Sequence, residues 1–373
     1  MEKVDFLVIG GGMAGLSVAS ELAAEASVIV LERESAPGYH TTGRSAALFS
    51  ETYGNATIRA LSSSGRAFYM APPDGFTETA LLSPRGALFI ARADQVTQRD
   101  DLVAEVDDPD RMCAIDADAA CHHVPVLRRD YVAAAAYEPD AMDIDVDALL
   151  QGYIRSLRAR GGRLVTGAEV RGLELVAGDW QVETAAGAFA APTVINAAGA
   201  WADRVGGRAG AAPIGLVPKR RTIITFDPPD GTDINKWPLT VDIDEEFYFK
   251  PDAGRLIGSP ADETPSEPCD AQPEELDIAI AADRIETASE LKIRRIHSKW
   301  AGLRSFVGDK TPVAGFDGGR PGFFWLAGQG GYGIQTAPGL SRTAAALANG
   351  RAVPADLQDF GVSEAALSPA RLR

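Results

Sequence analysis

Apolar positions follow three rhythms along this chain. VDFLVI (4–9) and SVIVLE (27–32) are short, nearly continuous apolar runs, the pattern of strands covered on both faces. Between them AGLSVASELAAEA, from Ala14, has helical periodicity with small residues on its early turns, so the three segments predict a compact βαβ unit with a right-handed crossover. TVINAAGAWA (193–202) and FFWLAGQGGYGIQTAPG (323–339) each predict another buried strand running into a turn of small residues. Helices are predicted at IDVDALLQGYIRSLRARGG (144–162), where arginines precede Gly161 as a helix C-terminus prefers, and at ELDIAIAADRIETAS (275–289). The third rhythm is short. GALFIA (86–91), RTIITFD (221–227), EFYFKPD (246–252) and RLIGS (255–259) are strands cut by Gly, Pro and Asp, as in an antiparallel sheet. The chain leaves a nucleotide-type fold and returns to it at least twice, so the expected class is mixed α/β in two lobes.

The turn after the first strand carries chemistry. Gly10, Gly12 and Gly15 form GxGxxG, with Met13 and Ala14 opening the helix, and Glu32 closes the second strand at the expected distance of about 20 residues. Gly10 allows the tight turn, Gly12 lets a pyrophosphate approach the backbone, and Gly15 lets helix and strand pack closely. The helix N-terminus adds unpaired N–H groups and partial positive charge. A carboxylate at Glu32 accepts both hydroxyls of a ribose and disfavours a 2′-phosphate. A second GxGxxG after a second strand is absent, and GGRAGAAPIG (206–215) reads as a loop. Glycine-rich turns near the N-terminus, the middle and the C-terminus suit a cofactor with two nucleotide-like ends, which is FAD.

Composition narrows the setting. With 373 residues, 46% hydrophobic and 24% charged, the chain has the balance of a soluble globular protein with room for two lobes. No apolar run is long enough to cross a bilayer, and MEKVDFLVIGGG enters a strand without a leader, so a cytoplasmic location is expected. Cys113, Cys121 and Cys269 show no CxxC spacing, against a disulfide framework or structural zinc. A net charge of −16 opposes nonspecific binding to nucleic acid or anionic lipid. His122 and His123, adjacent on a predicted loop, do not make a metal site, and no metal is expected. His40 is read as a structural residue beside the cofactor loop and His297 as an exposed linker residue.

The order VIGGGMAG, LERE, GYHTTGRSAA, INAAGAWA, WAGLRSF and GQGGYGIQT resembles the D-amino-acid oxidase superfamily of flavoproteins over nearly the whole chain. Within it, GYHTTGRSAA, LLSPR, VPVLRRD, LVPKRR, YFKPDAG and AGLRSF are similar to the bacterial D-arginine dehydrogenase branch. The resemblance implies a p-hydroxybenzoate-hydroxylase-like architecture. Residues 1–47, 145–210 and 305–373 would form the FAD lobe, and 48–144 and 211–304 a substrate lobe whose sheet roofs the isoalloxazine. It also implies that Glu32 and Arg33 hold the adenosine end, that Val170 meets the adenine by its backbone, and that Thr42, Arg44, Ser45 and Ala46 line the flavin. Ala198 and Gly199 of the middle turn and Gly302 and Arg304 would border the cofactor. The C-terminal turn, Gly330, Gly331, Tyr332, Gly333, Ile334, Gln335 and Thr336, would aim a helix N-terminus at the N1/C2=O edge of the ring. With no cysteine in sequence near Arg304 or in the 40–54 loop, a noncovalent flavin is expected.

By the same resemblance Arg221 and Arg304 clamp a substrate carboxylate, a role that suits a planar fork that stays charged when desolvated. Tyr53 and Tyr248 are the pocket tyrosines, and Leu48, Ser50, Ala87, Gly302, Gly331 and Gln335 complete the pocket. Lys219 and Arg220 are read as surface or structural charges. Two positions depart from the branch: Ala87 stands where an acid meets the distal cation of the substrate, and Leu48 stands where there is a histidine. Strand alternation turns Asp242 away from Val241, so it does not replace that acid. The expected substrate is an apolar or neutral D-amino acid, since a buried cation without its acid is costly. The expected reaction is hydride transfer from Cα to flavin N5, giving an imino acid that hydrolyses to a 2-oxo acid and ammonia. Alternatives are a 2-hydroxy-acid or secondary-amine dehydrogenase of the same superfamily, or a flavin-binding protein without catalysis. A monomer, reoxidised by a quinone-like acceptor rather than dioxygen, completes the expectation.

Overall fold

A computed structural model describes residues 1–373 and shows two lobes, each built on its own sheet. In the first, six strands lie in the order Arg163–Val165, Val28–Leu31, Phe6–Ile9, Thr193–Asn196, Phe323–Ala327 and Val313–Phe316. Neighbours are parallel except for the last pair. The apolar runs are continuous because both faces are covered. Val8, Val30 and Ile195 meet the helices Met13–Leu22, Val146–Ala159 and Ala337–Ala348, while Leu7, Ile29 and Val194 meet a layer containing Trp180 and Val182 of a four-stranded sheet.

The second lobe holds a larger sheet in the order Thr264–Pro265, Val217–Phe226, Arg255–Ser259, Tyr248–Asp252, Leu239–Asp242, Ala87–Ala91, Ala134–Glu138 and Cys113–Asp116, with Ile296–Phe306 also beside Val217–Phe226. It is antiparallel except where Leu239–Asp242 runs parallel to Ala87–Ala91. Its register sorts the chemistry onto one face. Tyr248 lies opposite Val241, Val241 opposite Phe89 and Phe89 opposite Ala136, so side chains two residues along, Ala87 and Glu138, share that face. On the far face Leu88, Ile224, Phe249 and Leu256 pack against Ile278, Ala281 and Ile285 of the helix Glu275–Ala288. Arg221, three residues from Ile224 on the same strand, therefore faces with Tyr248, opposite Gly302.

The structure revises three local expectations. His122 and His123 close a helix, Ala117–His123, because the Asp116 carboxylate accepts the N–H of Ala119 at 2.8 Å and starts it. His297 belongs to the strand Ile296–Phe306 and meets Asp227 at 2.7 Å. The glycines at 206 and 207 lie in the helix Ala202–Arg208 rather than in a loop, since a bare Gly206 is what the Trp325 ring requires: a Cβ there would sit 2.2 Å from it. No helix is long and apolar enough to cross a membrane.

Candidate active site at the meeting of two cavities

A long cavity of about 720 Å³ runs from the N-terminal turn to the large sheet. Gly10 adopts φ +112°, and a Cβ there would lie 2.3 Å from the carbonyl oxygen of Ala197, so only glycine turns the chain here. At Gly15 a Cβ would lie 1.9 Å from the Gly10 carbonyl oxygen, which is the close helix–strand approach expected of the third glycine. Gly12, Met13 and Ala14 border the cavity at the start of the helix Met13–Leu22, where the partial positive charge of its first turn lies. The N–H of Met13 donates to Thr42 Oγ1 at 3.0 Å.

Glu32 is buried at the same end and fixed by the backbone. Its Oε2 accepts the N–H of Gly11 at 2.7 Å and its Oε1 that of Glu34 at 2.8 Å. Arg33 lies over Trp201, which also packs on His40, while His40 meets Glu34 at 2.9 Å. Val170 borders this end too, its carbonyl taken by Arg208 at 2.8 Å. Ala198, Gly199 and the exposed Cys269 lie along the wall. Further in, Thr42–Arg44 forms a single 3₁₀ turn followed by Ser45 and Ala46. Arg44 pins that loop: its Nη1 donates to the carbonyls of Ala271 (3.0 Å) and Ala301 (2.9 Å), and its Nη2 pairs with Asp270.

The long cavity meets a second one, of about 430 Å³, and both are bordered by Arg221, Arg304 and Gly331. Arg221 is 5% exposed; its Nε donates to the carbonyl of Asp262 at 2.9 Å and its Nη2 lies 3.5 Å from Glu263. Burial first, and then the like charge of Arg304, hold Arg221 below the usual guanidinium value. Arg304 has no acid or carbonyl of its own within hydrogen-bonding distance and lies against Gly331, where a Cβ would meet its Nη1 at 3.0 Å. Two neighbouring cations, one without a contact ion pair, form a site that an anion completes.

Two phenols complete it. Tyr53 borders the second cavity, its ring 4.9 Å from that of Tyr332, and burial followed by Glu245 holds its hydroxyl well above the usual phenol range, so it remains a donor. Tyr248 is buried with its hydroxyl unpartnered, close enough to both arginines to act on their charges. The C-terminal turn follows. Gly330 donates to the carbonyl of Ser305 at 2.9 Å, Gly331, Gly333 and Ile334 border the long cavity, and Thr336 starts the helix Ala337–Ala348.

Leu48, Ser50, Ala87, Gln335 and Tyr248 border neither of these two cavities. Gln335 is 3% exposed; its Nε2 donates to the carbonyl of Ser50 (3.2 Å) and to Ser62 Oγ (2.8 Å). Asp242 turns to the far face, where Arg92 and Gln95 bind it. Arg220 pairs with Asp277 and Glu274, and Lys219 with Glu263. Sequence reasoning missed Glu138, a buried acid directly across from Ala87. Alternation along AAAAYE, which puts Glu138 on the face of Ala136, was the signal available.

The long cavity suits a dinucleotide. Its glycine cradle leaves no room for a Cβ, a helix N-terminus opens onto it, and the hydroxyl of Ser305 and the amide nitrogen of Gln329 on its wall are buried without protein partners. The sequence model of the DAO family, described as FAD dependent oxidoreductase, matches residues 5–347. The chain belongs to that family. FAD is thus the cofactor of this DAO-family chain, an oxidoreductase. Mitochondrial dimethylglycine dehydrogenase of Mus musculus is 25% identical over 58% of the chain, which spans only 27% of that protein. Among solved structures, L-proline dehydrogenase from P. horikoshii superposes with a TM-score of 0.83 at 21% identity, covering 99% of this chain and 98% of that one. Glycine oxidase from Geobacillus kaustophilus gives 0.83 at 21%, covering 96% and 98%. At these identities the likeness to solved structures shows the fold.

Proposed function

We propose that the chain oxidises the Cα–amine of D-amino acids with apolar or neutral side chains, yielding an imino acid that water converts to a 2-oxo acid and ammonia. The observation that carries this reading is the pair Arg221 and Arg304 where the two cavities meet, with Arg304 in contact with no acid and only Glu245 acting on its charge from a distance. A carboxylate there receives two forks of charge-assisted donors, and Tyr53 and Tyr248 stand ready to donate as well. When bound, FAD supplies the acceptor for the hydride leaving Cα. The chain itself binds, orients and excludes water. Holding a substrate by its carboxylate fixes Cα relative to the long cavity, and positioning of this kind is a large fraction of catalysis. Asp244, Glu245 and Glu263 border the second cavity beside the two arginines and Lys310, and hydride leaves Cα once the ammonium has lost its proton.

The preference for uncharged side chains rests on the sequence resemblance at Ala87 and Leu48 and not on the shape of the site, since neither residue borders either cavity. Glu138 does not supply the missing acid, because its oxygens are already taken by Ser50 and Thr52 and it borders neither cavity. The D-configuration and the branch resembling D-arginine dehydrogenase belong to this proposal and rest on the sequence motifs. A second reading, oxidation of a secondary or tertiary amine, is favoured by the relatives named for proline and dimethylglycine. Anaerobic mixing with D- and L-amino acids, N-alkyl amino acids and 2-hydroxy acids, followed by loss of flavin absorbance, decides. Bleaching by D-leucine or D-methionine, and only weakly by D-arginine, is expected. Bleaching confined to N-alkyl amines or hydroxy acids moves the chain to another activity.

A further inference from the structure

Glu138 ends the strand Ala134–Glu138 on the sheet face that carries Arg221 and Tyr248. It is 3% exposed and has no basic partner. Its Oε2 accepts Ser50 Oγ and Thr52 Oγ1, each at 2.8 Å, and its Oε1 accepts Ser50 Oγ at 3.1 Å. The backbone of Glu51 and Thr52 also favours the charged carboxylate. A buried carboxylate without a base persists only where fixed donors replace water. Here every donor comes from one segment of three residues.

Apart from Glu138, side chains alone hold that segment, Arg66 donating to the Glu51 carboxylate at 2.6 Å. Between Phe49 and Ala56 the chain belongs to no helix or strand, so no ladder holds it. Ser50 is gripped from the opposite side by Gln335, whose Nε2 donates to its carbonyl at 3.2 Å and whose Oε1 accepts its N–H at 3.4 Å. The next residue after Thr52 is Tyr53, whose ring rests on Tyr332 at the cavity shared by the arginines. We propose that Glu138 is a positioning residue for the substrate site: its carboxylate gathers residues 50–52 and thereby fixes the phenol of Tyr53 over the carboxylate clamp. The inference rests on the clamp described under Proposed function. An amide in the same place offers one acceptor oxygen and turns an NH₂ toward donors, so Glu138→Gln keeps the shape and loses the grip.

The test is a double-mutant cycle between Glu138→Gln and Tyr53→Phe, read as the Kd for benzoate from perturbation of the flavin spectrum. Glu138→Gln is expected to weaken benzoate about tenfold with Tyr53 present and less than twofold in the Tyr53→Phe background, as coupled neighbours behave. Thr52→Val, which removes one donor without changing shape, is expected to show a smaller loss with the same dependence on Tyr53, and it decides the matter if Glu138→Gln fails to retain flavin. Equal losses with and without the Tyr53 hydroxyl overturn the proposal and leave Glu138 as a structural residue. Failure of the wild-type holoenzyme to bind benzoate instead removes the clamp, and the proposal with it.

Discussion

Arg304→Met is the sharpest perturbation, because the structure separates what Arg304 does for the protein from what it does for a ligand. Methionine keeps much of the length and removes the fork. No contact ion pair is broken, since Glu245 acts on Arg304 only from a distance, and the repulsion that helps hold Arg221 below its usual value disappears. The melting temperature of the holoenzyme should therefore be unchanged or higher. The substrate loses more. Arg221 already gives its Nε to the Asp262 carbonyl and faces Glu263 at 3.5 Å, so the unengaged fork is that of Arg304. Truncating one partner of a buried hydrogen-bonded charge pair costs about 2–5 kcal/mol. With Arg221 retained, we place the loss at about 3–4 kcal/mol, on the order of several hundredfold in affinity at about 1.4 kcal/mol per tenfold. Anaerobic stopped-flow with D-leucine measures this from the concentration that half-saturates the rate of flavin bleaching. A change below about fivefold in that concentration, or a fall of more than about 5 °C in Tm, would refute the reasoning.

Other consequences follow from single contacts. Gly10→Ala forces a Cβ to within 2.3 Å of the Ala197 carbonyl at φ +112°, so the purified variant should lack flavin; a wild-type ratio of flavin to protein absorbance would contradict this. Tyr248→Phe removes a hydroxyl with no protein partner, so Tm should hold while D-leucine affinity falls about tenfold, the worth of one hydrogen bond to a charge; an unchanged affinity would remove Tyr248 from the clamp. Burial raises the Glu138 carboxyl above its ordinary value despite the donors from Ser50 and Thr52. The folded chain thus holds that proton more tightly than the unfolded chain, and the resulting stability, fully present below the unfolded value, is lost as pH rises through the folded one. The Tm of Glu138→Gln relative to wild type should accordingly climb as pH rises above the ordinary carboxylate range. A flat difference would contradict a raised value.

Much of this was legible in the residues. The βαβ unit, the glycine turn and Glu32 are local features, fixed by short runs of apolar residues and by one strand–helix contact. The far-face placement of Asp242 followed from alternation alone, and Arg92 and Gln95 bind it there. The parallel pairing of Leu239–Asp242 with Ala87–Ala91 did not show, because register between strands some 150 residues apart leaves no local signature. Glu138 escaped for the same reason: an acid before a proline reads as a turn residue until the strand beside it is known. The helix that holds His122 and His123 was signalled by Asp116 as an N-cap and was obscured by the attention that paired histidines attract.

The central claim is that two arginines hold a carboxylate while the amine beside it is oxidised. Anaerobic flavin bleaching by D-leucine, L-leucine and D-leucinamide, compared at matched concentrations, tests it most directly. The account predicts rapid bleaching by D-leucine, little by L-leucine, and a requirement for roughly hundredfold more of the amide, which lacks the charge that Arg221 and Arg304 would bind. Equal bleaching by D-leucine and D-leucinamide would show that the arginines hold something else, and faster bleaching by L-leucine would reverse the configuration proposed here.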